Sequence, residues 1–247
     1  GTMTVTEKLD LAERLTHHAN DYREIYNTIS AQMYYLQVQQ HRELVEHCWS
    51  DRDDVSFGPA KGREAVLDFL IRQSYARKRE KLELAHKYHG VEMNEDNFGV
   101  GDLESRLAAN PYIVIATDRK TAQGVWFSPA VKAEIGEDGE LHGTYLQERI
   151  GVDFIRENGQ WRIWHYNVYP DFTTALPDET FDDSRYEGRT FDEEGAPNED
   201  HTNKMPEGPK EDGNRPMPYC AESIPVWKPP LPEEYSTWTA SEDMPIM

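Results

Sequence analysis

The run Leu146, Glu148, Ile150, Val152, Phe154 sets one carboxylate among four apolar side chains at period two, so on a β-strand all of them share a face. A carboxylate in such company is costly unless paired. Desolvation would also raise its pKa toward the working range of a general acid or base, which makes Glu148 a catalytic candidate. The competing reading is an ion pair with an arginine such as Arg149 or Arg63. Further on, Trp161, Ile163, His165 and Asn167 alternate against Arg162, Trp164, Tyr166 and Val168. His165 and Asn167 then project together beyond an apolar base, as a polar pair able to hold and move a proton. In the run from Leu84 to Met93, Lys87, His89, Val91 and Met93 share one side of a pleat, and a histidine among apolar neighbours can titrate near neutrality. Tyr34 and His41 fall on one helical stripe with Val38, Val45 and Cys48, where Tyr34 could orient a substrate oxygen or simply be a core tyrosine.

Around these groups the expected substrate contacts are His41, Tyr35 and Arg149, with Tyr112, Trp126 and Trp164 as aromatic walls. The histidines and carboxylates show no metal-ligand spacing, and there is no glycine-rich phosphate loop and no nucleophile elbow. The expectation is chemistry without metal or organic cofactor.

Composition narrows the partners. The 247 residues carry a formal net charge of −20, which repels a nucleic-acid backbone or an anionic membrane and leaves a small neutral or phenolic ligand as the easier partner. The two cysteines, Cys48 and Cys220, are too few for a disulfide framework and read as free thiols in a reducing compartment. No run is apolar for long enough to span a bilayer, so a cytoplasmic location is the default. Gly1-Thr2 ahead of Met3 reads as a tag scar.

The elements that must position the candidates follow from periodicity. Residues Leu9 to Trp49 contain no proline or glycine and suit one long helix, or two broken near Asn20-Asp21. Val55 to Phe57 reads as a short strand closed by Gly58-Pro59, and Gly62 opens a second helix through about Lys81. The period then changes to two in candidate strands Leu84 to Met93, Tyr112 to Asp118, Gly124 to Ile135, Thr144 to Arg156 and Gln160 to Val168. Asn158-Gly159 is the signal of a tight hairpin. The segment Asn94 to Asn110 reads as an insertion with a short helix from Leu103 to Ala109, of a size that often covers a pocket. Helices followed by long strands give an α+β class.

From Pro170 the prolines and acids crowd together, yet Phe172, Phe181, Tyr186, Phe191, Tyr219, Trp227, Tyr235 and Trp238 punctuate the stretch. It reads as an extended arm tied down by aromatics, on its own core or on a neighbouring subunit. The chain therefore divides into an N-terminal segment 1–19, a folded domain 20–170 and an acidic proline-rich arm 171–247.

The stretch Phe57-Gly58-Pro59-Ala60-Lys61-Gly62-Arg63-Glu64-Ala65-Val66, between two helical regions, resembles the SnoaL-like family of the nuclear-transport-factor-2-like superfamily, and Gly159-Gln160-Trp161-Arg162-Ile163 matches that family's entry into its last strand. The resemblance implies a cone: a strongly curved antiparallel sheet, nuclear-transport-factor-2-like or cystatin-like, packed on N-terminal helices with a pocket at the wide end. It also implies dimers or trimers, and cofactorless dehydratases, isomerases, cyclases or lyases, or else non-catalytic binding modules. The long arm is similar to that of a subgroup of formaldehyde-releasing lyases acting on lignin-derived diarylpropanes and phenylcoumarans. The family's dehydratases pair a helix acid with a strand histidine, whereas this helix offers Tyr34, Tyr35, Gln39, Gln40 and His41 in place of an aspartate. The leading expectation is a cofactor-independent lyase working by general acid-base chemistry through His89, His165, Asn167, Tyr34 and Glu148.

Overall fold

Thr4 and Glu7 open the first helix with a reciprocal capping box, and helix α1 then runs from Val5–Gln37. Its inward stripe is Asp21, Ile25, Ile29, Gln32 and Met33. Of the two expected arrangements, α1 follows the unbroken one through Asn20-Asp21, where the Asp21 carboxylate is satisfied in place by Arg119 at 2.6 and 2.9 Å and by the Trp161 indole at 3.2 Å. The chain breaks instead at Gln39, whose φ of +60° ends the helix before α2 (His41–Cys48) begins. There the Gln39 amide donates to the carbonyls of Gly99 and Asp102, and Lys78 Nζ donates to its carbonyl at 2.7 Å.

The computed structural model describes residues 1–176, 229–240 and 246–247. After α2 come β1 (Ser56–Phe57), β2 (Ala60–Lys61), α3 (Arg63–Leu67), one π-helical turn (Asp68–Arg72) and α4 (Gln73–His89). The expected strand from Leu84 to Met93 is thus mostly helix. Leu82 and Ala85 bury at helical spacing, and Gly90 closes α4 in the left-handed conformation at φ +70°. A 3₁₀ turn (Glu95–Asn97) comes next. The expected short helix at Leu103 is instead strand β3 (Asp102–Arg106), drawn into the sheet by antiparallel pairing with β5.

The remaining strands are β4 (Ala109–Ile115), β5 (Thr121–Ile135), β6 (Leu141–Glu157) and β7 (Gln160–Ala175). The sheet order is β2-β1-β7-β6-β5-β3, with β4 also on β5, and β1 lies parallel to β7 in an otherwise antiparallel layer. This mixed sheet curls as a half-barrel around α1 and α2. Ile25, Ile29, Leu44, Trp49, Trp126, Ile150, Val152, Phe154, Ile163 and Tyr166 form the core beneath it. The Asn158-Gly159 turn has both residues at positive φ, +50° and +75°, as the hairpin signal requires.

Two bulges in the β6–β7 ladder decide which side chains look inward. One lies between Asp153 and Phe154, whose partners are His165 and Ile163, so Trp164 is the unpaired extra residue. The simple alternation expected for β7 therefore fails there. Tyr166, opposite Val152, faces the helices, and His165, opposite Asp153, faces away.

The described part of the arm lies on its own chain. The carbonyls of Tyr235 and Ser236 accept from the amides of Thr117 and Asp118, Tyr235 Oη pairs with Thr121 Oγ1 at 2.8 Å, and Trp238 packs on Trp164 with ring centres 4.9 Å apart. Phe181, Tyr186, Phe191, Tyr219 and Trp227 lie outside the described residues, as does Cys220. Cys48 is buried as a free thiol, and burial pushes its pKa up to about 12.

Candidate active site

The concave face of the sheet carries a stripe of polar groups above the apolar core. On β5 the inward positions Trp126, Ser128 and Ala130 stand opposite Ile150, Glu148 and Leu146 of β6. Across β5, strand β3 contributes Glu104 and Arg106 opposite Lys132 and Ala130. Arg106 joins both sides: Nε lies 2.5 Å from Glu104 Oε1, and Nη1 lies 2.5 Å from Glu148 Oε2. Burial alone would raise the Glu104 pKa, but the charges of Arg106 and Lys132 overcome it and hold the carboxyl at about 2. Glu148 is thus on the inward face as its apolar company demanded, and it is ion-paired; the arginine comes from β3 rather than being Arg149 or Arg63.

The helices close this stripe from the other side. His41, at the start of α2, is 4% exposed, and neither ring nitrogen has a protein partner. Burial, with Lys78 and Arg77 nearby, lowers its pKa to about 4, so the ring is neutral at physiological pH with one donor and one acceptor to offer. Lys78 is itself buried, which depresses its pKa, and its ammonium lies 5.4 Å from the centre of the Tyr75 ring. From α1, Gln32 accepts the Trp49 indole proton at 2.8 Å and bonds the hydroxyl of Tyr166, whose pKa burial raises. A buried neutral base, a protonated phenol and a bridged arginine therefore converge from α2, β7 and β3.

The other sequence candidates are not brought to this place. Tyr34 is 63% exposed on the outer side of α1, and Tyr35 stacks on His47. Their stripe with His41 is interrupted by the Gln39 break, so the helical spacing does not carry across it. His89 ends α4, exposed, with Nε2 2.7 Å from the Gly139 carbonyl. His165 and Asn167 lie on the convex face. His165 Nδ1 sits 2.9 Å from Asp153 Oδ2 and Nε2 3.2 Å from the Asp54 carbonyl, while Asn167 donates to the Met247 carbonyl at 3.1 Å. Arg149 pairs with Asp171 at 2.7 Å on that same convex side. Trp164 packs beneath Trp238 and donates to Asp54 at 2.8 Å. Tyr112 is half-exposed beside a surface groove of about 600 Å³ shared with Pro230 to Glu234. Of the wall residues, Trp126 is on the concave face.

Sequence reasoning does not single out Gln32, Lys78, Glu104, Arg106, Ser128 or Tyr166. Ser128 carries a signal, being two residues from Trp126 on a long strand, and Gln32 continues the Asp21-Ile25-Ile29 spacing. Glu104 and Arg106 are hidden because their segment reads as helix. Among the described residues no group of three or more His, Cys, Asp or Glu side chains is arranged to hold a metal ion, and no helix is long and apolar enough to cross a membrane.

Comparison with known proteins matches residues 17–167 to the SnoaL-like domain. No curated protein sequence matches the chain. Among solved structures, similarity extends to a putative scytalone dehydratase from Novosphingobium aromaticivorans, with 16% identity, TM-score 0.48, and coverage of 66% of this chain and 91% of that one. An NTF2-like protein with a cystatin-like fold from the same species gives 16% identity, TM-score 0.43, and coverage of 68% and 90%. A hexachlorocyclohexane dehydrochlorinase from Novosphingobium barchaimii gives 14% identity, TM-score 0.43, and coverage of 67% and 94%.

Proposed function

Because the chain belongs to the SnoaL-like domain family, we propose that it is a cofactor-independent lyase acting on a hydroxylated aromatic compound, with His41 as the proton acceptor. The observation that carries this is the His41 ring, buried and neutral with both nitrogens unpartnered. Buried polar groups are nearly always hydrogen-bonded, so an imidazole with both ring nitrogens unpartnered by protein supports a role in meeting a ligand.

In the deformylating version, His41 takes the proton from a primary alcohol as the adjoining carbon-carbon bond breaks. Formaldehyde leaves, the bonding pair becomes the new carbon-carbon double bond, and the neighbouring hydroxyl departs as water after gaining a proton. Gln32, with its Oε1 engaged by Trp49, donates its amide to Tyr166 and leaves the phenol proton available to that departing oxygen. Arg106, fixed between Glu104 and Glu148, holds the Glu148 carboxylate in place on the concave face beside these groups. In the simpler dehydratase version a carbon-bound proton is removed and only water leaves. Both use the same groups, and product mass separates them from an isomerase or cyclase.

The test is turnover of phenolic diaryl propanediols, with formaldehyde measured by a colorimetric trap and products by mass. His41→Gln is expected to lower kcat by about 10²- to 10⁴-fold, the usual contribution of a positioned acid or base. Wild-type protein that releases neither formaldehyde nor water from any of them, or a variant within about threefold of wild type, overturns the reading.

A further inference from the structure

Four described tryptophans are buried, and three of these have found an acceptor. Trp49 donates to Gln32 at 2.8 Å, Trp161 to Asp21 at 3.2 Å and Trp164 to Asp54 at 2.8 Å. Trp126 differs: it is 1% exposed and its Nε1 has no protein partner. The next inward residue on the same strand, Ser128, is 0% exposed, and its hydroxyl has no partner either.

The indole is not free to turn toward an acceptor. Its six-membered ring lies over Gly124, where even a Cβ would come within 2.4 Å of it, and Phe154 meets it edge-on with ring centres 5.9 Å apart. An indole N–H donates only and does not titrate, so the group it is shaped to receive must carry a lone pair. The indole's neighbours Phe154, Ile150 and Val152 are apolar, while Ser128 stands opposite Glu148.

We propose that Trp126 Nε1–H and Ser128 Oγ–H form a donor pair that receives an oxygen attached to an aromatic ring of the substrate, a phenol or phenolate. This rests on the reading that substrate occupies the concave face, and it adds a division of labour. The strand pair binds the aryl oxygen, whereas His41 on α2 handles the proton that moves. A ligand presenting an ammonium or bare hydrocarbon at that end gains nothing from the pair, so it selects for oxygenated rings.

The probe is 4-nitrophenol, titrated into ¹⁵N-labelled full-length protein, with the Trp126 indole resonance assigned by its loss in Trp126→Phe. The expected result is a saturable downfield shift of that resonance while those of Trp49, Trp161 and Trp164 stay in place. Trp126→Phe and Ser128→Ala should each weaken nitrophenol binding by about fivefold, the usual effect of one neutral hydrogen bond. The titration is read on wild-type protein, and the variant serves there only to assign the Trp126 resonance, which its unchanged Trp49, Trp161 and Trp164 signals would show to come from a folded chain. A Trp126 resonance that stays put at saturating probe overturns the proposal, as does absence of binding or affinity unchanged in both variants. If lyase turnover persists despite that result, the donor pair falls and the acid-base reading stands; a shifted resonance without turnover keeps the donor pair and removes the lyase.

Discussion

Arg106 Nη1 and Glu148 Oε2 lie 2.5 Å apart across the concave face, tying β3 to β6 over the intervening β5. The same guanidinium holds Glu104, so one cation bridges two carboxylates, with Lys132 and Arg77 also close to Glu104. Arg106→Met would leave them facing each other without it, at an expected cost of about 3–5 kcal/mol in urea unfolding. Glu148→Gln keeps a hydrogen-bond acceptor and should cost less, about 1–3 kcal/mol. Equal effects from the two variants would mean that Arg106 does not act as the bridge.

The acid side of the stability curve is set in part by Glu104. Its pKa falls from the usual 4.5 to about 2 on folding, so its contribution is present above pH 4.5 and is lost as pH drops toward 2. Glu104→Gln should flatten the decline in stability between those limits, read from denaturant midpoints at stepped pH.

His41 works in the same direction but in a different window. Its folded pKa of about 4 lies below the ordinary 6.5, so between these values the unfolded chain binds more protons and the fold loses stability as pH falls. His41→Leu should remove that slope and leave the protein relatively more stable at about pH 5. If His41 is the proton acceptor, the acid limb of kcat/KM should lie near pH 4 rather than 6.5.

Gly124 should be a functional position without touching substrate. Gly124→Ala places a Cβ within 2.4 Å of the Trp126 ring, which must then shift or turn. Turnover is expected to fall at least about tenfold, with loss of the Trp126 nitrophenol response and little change in the Trp49 indole signal.

On the convex side, the backbone of Met247 rests on Gly151, where a Cβ would stand 2.8 Å from the Met247 carbonyl oxygen and 2.9 Å from its carbon. The Met247 amide also donates to Asp153 at 3.2 Å, and Tyr169 donates to its carbonyl at 2.9 Å. Gly151→Val should expel this segment, lower stability by about 1–3 kcal/mol and weaken the near-ultraviolet dichroism of the packed Trp164–Trp238 pair. We also propose that residues beyond Pro177 help to hold a homo-oligomer together. Truncation there should lower the sedimentation coefficient by more than the lost mass requires, and an unchanged subunit count rejects the idea.

The long strands, the Asn158-Gly159 hairpin, the inward Glu148 and the α+β order are written in local pattern, because a half-buried strand must alternate and a tight turn needs residues that tolerate positive φ. The segment Leu84 to His89 is ambiguous for a related reason: a short run with mixed apolar spacing fits both periods, and burial of Leu82 and Ala85 against the rest of the chain makes it helix. Likewise β3 exists as a strand only because β5 supplies its hydrogen-bonding partner.

Membership of the site depends on packing. A single unpaired residue, Trp164, reverses the alternation beyond it, turning His165 out toward Asp153 and Tyr166 in toward Gln32, and no periodicity marks where such a bulge falls. Local spacing is enough to place His41, Trp126 and Glu148 among apolar neighbours. Their convergence with Arg106, Glu104 and Tyr166 arises only when the sheet curls over α1 and α2, since those groups are distant in sequence and meet through tertiary contacts rather than through any local rule.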